Sequence, residues 1–353
     1  MIRWRRKVPV IYVVPLICFI ISIALTPAVK RLAYYWGAID QPNQRKIHQK
    51  PMPLLGGLAI FASFLAGVIL VLPFDQRVFT IVVGGVIIVM TGILDDMLQL
   101  PPHMKLLGQI AAGGVVIYGG LVITELNIPF GGQFVLGFVS VPITLLWVVG
   151  ITNAINLIDG LDGLAAGVSA IAFSAITFMA FLHGDFFVLV LGLICIGSTL
   201  GFLVYNFYPA KMFMGDTGAL FLGYMIAVLS LLGFKSVTFI SFIIPIIMLG
   251  VPISDTLFAI IRRILHKKPI AAPDKAHLHH CLLLIGFSHR QAVLLIYAIA
   301  ALFSLAGIIF SMATAWLSIV ILCILIIALQ IFAEALGLVG ENYKPLLTMI
   351  RRK

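Results

Sequence analysis

The stretch Asn153-Ala154-Ile155-Asn156-Leu157-Ile158-Asp159-Gly160-Leu161-Asp162-Gly163-Leu164 sets two carboxamides, two carboxylates and two glycines between long apolar runs. A carboxylate at the centre of a membrane helix costs roughly 2.5 to 3.5 kcal/mol on insertion scales, so acids in such surroundings face a wet cavity and carry function. Asn156 and Asp159, three apart, share one helical face, while Gly160 and Gly163 let the backbone bend or admit a ligand closely. Oxygen donors on one face suit a hard cation such as Mg2+, or Mn2+ in its place, holding a phosphate. The plainer reading of the block is a polar turn between two spans.

Outward from this block the chain is greasy: 353 residues, 62% hydrophobic, 10% charged, with mean hydropathy +1.16. That composition excludes a soluble domain of this length. Apolar runs of bilayer length recur from end to end, which predicts an all-α polytopic membrane protein with one integral membrane domain over 1–353. Candidate spans are about 8–25, 54–73, 78–94, 106–124, 137–152, 164–182, 186–205, 217–234, 237–258, 291–311 and 315–337, about eleven transmembrane helices. Cys18, Cys195, Cys281 and Cys323 are scattered and imply no disulfide framework. The basic start, Arg3, Arg5, Arg6 and Lys7, resembles a signal peptide, but the apolar run behind it shows no small-residue cleavage pattern and reads as an uncleaved first span.

With eleven spans the loops fall into two sets. The set holding 26–53, 95–105, 153–163, 206–216, 259–290 and the tail from 338 carries 17 of the 23 lysines and arginines, which predicts the cytoplasmic side. The basic N-terminus falls on the other side and argues against this assignment. Of the thirteen acids, Asp40, Asp95, Asp96, Asp159, Asp162, Asp216, Asp255, Asp274 and Glu341 lie in or beside the same set, so chemistry is expected on that face. On the opposite side a small hairpin is expected over 127–137.

Asp95 and Asp96 end the third span. Adjacent carboxylates are expected to raise each other's pKa, so that one serves as a base while the other pairs with a metal or with Lys105 at the start of the next span. In Asn206-Phe207-Tyr208-Pro209-Ala210-Lys211-Met212-Phe213-Met214-Gly215-Asp216, Asp216 opens a span between glycines, where a helix N-terminus favours anionic oxygens. A simple N-cap is its structural alternative. Phe213, three before the acid in a glycine-rich turn, is placed to stack on a nucleobase, against the default of a lipid anchor. The loop His277-Leu278-His279-His280-Cys281 matches no common zinc spacing and reads as a lining for phosphates and a sugar. Arg45-Lys46-Ile47-His48-Gln49-Lys50-Pro51-Met52-Pro53 is a stiff, extended, basic approach to Gly56-Gly57, suited to a diphosphate or to setting topology.

Five ordered motifs, His48-Gln49-Lys50-Pro51 to Gly56-Gly57, Asp95-Asp96, the 153–164 block, Phe213-Met214-Gly215-Asp216 and His277-Leu278-His279-His280, resemble the polyprenyl-phosphate N-acetylhexosamine-1-phosphate transferases (the MraY, WecA and TagO family) over nearly the whole chain. The run 274–280 and Gly286-Phe287-Ser288-His289-Arg290-Gln291 are most similar to the branch whose donor is UDP-N-acetylglucosamine. The resemblance implies transfer of a sugar 1-phosphate from the UDP-N-acetylhexosamine to undecaprenyl phosphate with Mg2+, in a bacterial plasma membrane, as the first membrane step of an envelope glycopolymer such as a teichoic acid linkage unit. It assigns catalysis to Asp95, Asp96, Asp159 and Asp162, substrate binding to Lys50, Lys105, Asn153, Asn206, Phe213, His277, His279 and His280, and metal to Asp216 and Asn156. The lipid bilayer is the expected partner surface, nucleic acid is not, and a homodimer is an admissible assembly. The alternatives are the phospho-N-acetylmuramoyl-pentapeptide transferase branch and, in another class, an ion-coupled transporter, which would carry its acids near the midplane of inverted repeats. An intramembrane aspartyl protease would want glycine where Phe213 stands. The 159–163 block is similar to CDP-alcohol phosphotransferases but lacks their following Ala-Arg.

Overall fold

The structure, a computed structural model, describes residues 8–42, 50–127, 133–233, 239–265, 267, 269, 277–338 and 345–351. It is helical almost throughout: α1 (Val8–Trp36), α2 (Gly57–Val71), α3 (Gln76–Leu98), α4 (Pro102–Tyr118), α5 (Ser140–Ile158), α6 (Leu164–His183), α7 (Phe186–Asn206), α8 (Gly215–Gly233), α9 (Phe239–Met248), α10 (Gly250–Leu265), α11 (Leu278–Leu284), α12 (His289–Met312), α13 (Ala315–Leu336) and α14 (Pro345–Arg351). Local signals set the boundaries. Asp75 caps α3 by accepting from Val78 N at 2.9 Å, Asp185 caps α7, and a Ser288–Gln291 capping box opens α12. Gln99 closes α3 in the left-handed region (φ 53°), and Pro101-Pro102 starts α4 with a proline at its first turn.

Among the described residues eight helices are long and apolar enough to cross a membrane, and Gly57–Val71 is a shorter apolar helix. Each of the eleven expected spans contains a helix, but those within 54–73, 106–124 and 237–258 are not among the eight, and the course of two expected spans changes as well. The first helix runs on to Trp36 rather than ending near 25, since Lys30 and Arg31 are long enough to carry their charges away from an apolar stem. The expected span 237–258 is two helices parted at Leu249. Pro252 has no N–H to offer the carbonyl four residues back, and Gly250 stands at the joint, so the hydrogen-bond ladder breaks there. The expected hairpin is present as β3 (Glu125–Asn127) against β4 (Gln133–Val135), and β1 (Ile39–Asp40) pairs antiparallel with β2 (Met52–Pro53).

Helix α8 is the axis of the bundle, packed by α2, α3, α5, α6 and α7. Nearly every side chain from Thr217 to Leu231 is buried, as expected of a helix apolar all round. Trp147 of α5 donates to Ser230 Oγ at 3.0 Å and Tyr224 donates to the Ile81 carbonyl of α3 at 3.1 Å, which satisfies the indole and phenol that this core encloses. Two glycines bring neighbouring backbones onto the start of α8: a Cβ at Gly57 would lie 2.1 Å from Gly218 N, and one at Gly92 would lie 2.4 Å from Thr217 Cα. Gly92 is three residues before Asp95, so this contact delivers the acids at the end of α3 to Asp216.

Candidate active site

Lys105, in the first turn of α4, joins the ends of two other helices. Its Nζ lies 2.5 Å from Asp95 Oδ2 on α3 and 2.6 Å from Asp216 Oδ2 at the start of α8. Asp216 Oδ1 accepts from Asn156 Nδ2 of α5 at 3.1 Å. Four helix ends thus converge on one carboxylate. The expected mutual effect within the Asp95-Asp96 pair is not what the geometry provides, because neighbours on a helix point about 100° apart. Asp95 turns to Lys105, whereas Asp96 accepts from Asp216 N at 2.8 Å, Thr217 N at 3.1 Å and Thr217 Oγ1 at 2.6 Å. Asp96 is the cap of α8 supplied from another helix, satisfying N–H groups that a helix start leaves bare.

Asp159 follows the end of α5, in the turn that leads through Gly163 (φ 77°) into α6. Burial first, then the charges of Asp216, Asp96 and Asp162, push its carboxyl up to about 8, although part of its surface still reaches solvent. Asp162 is committed otherwise. Its Oδ2 accepts from Ala210 N at 2.9 Å, its backbone N–H donates to His289 Nε2 at 2.9 Å, and the His289 ring stacks on Tyr208 with centroids 4.6 Å apart. Tyr297 Oη donates to the Gly163 carbonyl at 2.5 Å. This turn is therefore tied both to the loop before α8 and to α12.

The histidines close the site from a third side. The His279 ring stands over Gly160, where a Cβ would lie 2.3 Å from Nε2, and its centroid is 6.0 Å from His277 and 4.2 Å from His280. Burial and the neighbouring His280 lower the His279 imidazole to about 3, so it is neutral at pH 7. Phe213 is half-buried, with its N–H donating to Pro53 O at 2.9 Å and its carbonyl accepting from Gly56 N at 3.1 Å, so the first loop sets the pose of this turn. Lys50 is exposed, three residues before Pro53. Asn206 is buried, donates to Met212 O at 3.1 Å, and keeps its Oδ1 without a partner among the described residues. Asn153 exchanges hydrogen bonds with Gln109, at 2.5 and 3.3 Å, one turn away from Asn156. The motif residues Arg45, Lys46, His48 and Gln49 lie outside the described residues, as do Asp274 and Lys275.

Gln109, Thr217 and Tyr297 are parts of this arrangement that sequence reasoning did not single out, and Asp255 and His289 were read from the sequence without their partners. A polar residue inside an apolar run was the available signal for Gln109 and Asp255. Among the described residues no three His, Cys, Asp or Glu side chains gather as a preformed metal cluster. Yet Asp95 Oδ1 is buried without a partner, and the ammonium of Lys105 already bridges Asp95 to Asp216. An orphaned carboxylate oxygen beside two carboxylates that need a cation fits a hard divalent ion.

Fold and site together define an all-α integral membrane enzyme with its polar chemistry gathered where helices α3, α5 and α7 end and α4, α6, α8 and α12 begin. A family model described as glycosyl transferase family 4 matches residues 78–234. The chain is 53% identical over 98% of its length, and 97% of the relative's, to a Bacillus subtilis protein named as a probable undecaprenyl-phosphate N-acetylglucosaminyl 1-phosphate transferase. It is 39% identical to the decaprenyl-phosphate N-acetylglucosaminephosphotransferase of Mycolicibacterium smegmatis, over 79% of this chain and 76% of that one. It is 33% identical to a phospho-N-acetylmuramoyl-pentapeptide-transferase of Halalkalibacterium halodurans, over 83% of this chain and 95% of that one. The chain belongs to glycosyl transferase family 4, the polyprenyl-phosphate N-acetylhexosamine-1-phosphate transferases anticipated from its motifs.

Proposed function

We propose that this protein transfers N-acetylglucosamine 1-phosphate from UDP-N-acetylglucosamine to undecaprenyl phosphate and releases UMP. The observation that carries this reading is the 53% identity, along 98% of the chain, to a protein named for that activity. The pentapeptide transferase alternative is supported only by the lower identity of 33%. Acids at helix ends, rather than at the midplane of broken repeats, speak against ion-coupled transport.

In the reaction an oxygen of the lipid phosphate attacks the sugar-bearing phosphorus of the donor. The bridging P–O bond to the uridine phosphate breaks, and UMP leaves. Both substrates are anions, so the first task of the protein is to offset their repulsion. Lys105 brings a fixed positive charge to the carboxylate pair that meets the diphosphate. Asp216 and Asp95, with Asn156 beside them, would hold Mg2+ or Mn2+, which when bound supplies neutralisation of the diphosphate charge. Asp96 and Asp162 are committed to backbone N–H groups and hold the α8 start and the Tyr208–Ala210 loop in place. That leaves Asp159 to exchange a proton with the lipid phosphate. Phe213 stacks on uracil with Asn206 near the nucleoside, and His277, His279, His280 and Lys50 line the path of the diphosphate and sugar.

The excess of lysine and arginine in the loops on the site's side supports a cytoplasmic-facing site, where a soluble nucleotide sugar can meet a lipid acceptor. The product is the first lipid-linked intermediate of an envelope glycopolymer, such as a teichoic acid linkage unit, and a homodimer is compatible with this activity. The test is a donor panel with purified protein in detergent. UMP release from UDP-N-acetylglucosamine that requires undecaprenyl phosphate and a divalent cation is expected. Turnover only with the UDP-muramoyl pentapeptide, or none with either donor, refutes the proposal.

A further inference from the structure

Asp255, on α10 just beyond the break at Leu249, has taken no part in the chemistry above. Its Oδ2 is 2.8 Å from His277 Nδ1, and its Oδ1 accepts from Leu278 N at 2.8 Å. Asp255 is 3% exposed and His277 6%, so neither pairs with water instead. A carboxylate only accepts, so this geometry places a ring proton of His277 on Nδ1. The same two oxygens pin the entry to α11, and the rings of His277 and His279 lie parallel to within 2°. His279 is the ring that closes over Gly160, next to Asp159.

We propose that Asp255 is a positioning residue for the transfer reaction: by fixing the tautomer and seat of His277 it sets how the histidine helix closes on the Asp159-Gly160 turn. This rests on the transferase reading above, in which the histidines meet the donor. The break between α9 and α10 acquires a purpose in this view, since α10 carries the carboxylate that meets the histidine loop.

The test is Asp255→Asn. Asparagine keeps the shape and the acceptor for Leu278 N–H, but its amide N–H now points at Nδ1 and drives the ring proton to Nε2. The expected outcome is a thermal unfolding temperature in detergent close to that of the unaltered protein, with kcat for UMP release lowered about 10- to 100-fold, the scale on which losing the carboxylate that orients a metal-bound histidine tells on activity. Donor KM should change little, and Asp255→Glu, an acceptor-only carboxylate, should recover part of the rate. Long-range nitrogen correlations in 15N-histidine-labelled protein, with His277 assigned through His277→Gln, should show Nδ1–H in the unaltered protein and Nε2–H in Asp255→Asn. Activity lost only in proportion to folded protein would make Asp255 a mere scaffold and overturn the proposal. So would an Nε2–H tautomer of His277 in the unaltered protein, a result readable even if no donor is turned over, which keeps the failure of the transferase reading separate.

Discussion

Replacing Lys105 by methionine keeps the stem of the side chain and removes the one charge that two carboxylates share. Breaking a buried pair by deleting one partner costs about 3 to 5 kcal/mol, because the remaining charge is left uncompensated. Here the side chains of Lys105 and Asp216 are 27% and 25% exposed and that of Asp95 is 9% exposed, so solvent screens part of the loss. The lower end, about 3 kcal/mol, is the expected destabilisation. At about 1.4 kcal/mol per decade, the same loss expressed in the transition state lowers kcat/KM for UMP release about 100-fold. Equilibrium unfolding in mixed micelles of rising SDS fraction measures the first quantity, and a double-mutant cycle with Asp216→Asn isolates its cause. In the Lys105→Met background the second substitution should restore stability, since it removes a stranded charge. If Asp216→Asn is equally destabilising with and without Lys105, the two residues are not coupled and the electrostatic account of the site is wrong.

Asp216→Asn alone should abolish turnover and weaken the response to Mg2+, and a metal titration of residual UMP release that matches the unaltered protein removes Asp216 from the cation. Phe213→Ala should raise donor KM, since base stacking is worth roughly 1 to 3 kcal/mol by alanine substitution; equal affinity for UMP, measured calorimetrically, leaves the residue as a lipid anchor. Asp159→Asn should be inactive yet more stable at pH 8 than the unaltered protein. With a folded-state pKa moved from 3.8 to about 8, the native state holds a proton that the unfolded chain releases, so the stability from this group is full below pH 3.8 and is lost as pH rises through about 8. Thermal unfolding across pH 5 to 9 checks this prediction, and a slope in the variant as steep as in the unaltered protein contradicts it.

Most of the fold was legible because a bilayer demands long apolar runs and the chain supplies them one after another. The grouping of Asp95, Asp159 and Asp216 was legible too, since charges this costly fall at span ends on one side. What could not be read is pairing across distance. Nothing near Asp96 in the chain says that it accepts from the N–H of Asp216, 120 residues later, and Gln109 gives no sign that its partner is Asn153. The split at Leu249 was missed because Pro245 and Pro252 sit in a run apolar enough to read as one span, and proline is tolerated in membrane helices. Asp255 was seen as an acid on the expected face, but its tie to His277 depends on that split.

The burial of α8 bears on how the protein is made. The span that carries Asp216 is the least apolar of the eight long spans, and the backbone at its start lies directly against Gly57 of α2 and Gly92 of α3. Lipid alone offers such a segment less than it offers the other spans, so its seat in the bundle relies more on the earlier spans that receive it. Assembly and the candidate site thereby become one requirement: a nascent chain that has not gathered α2 and α3 has neither a fully packed eighth helix nor Asp95 beside Asp216.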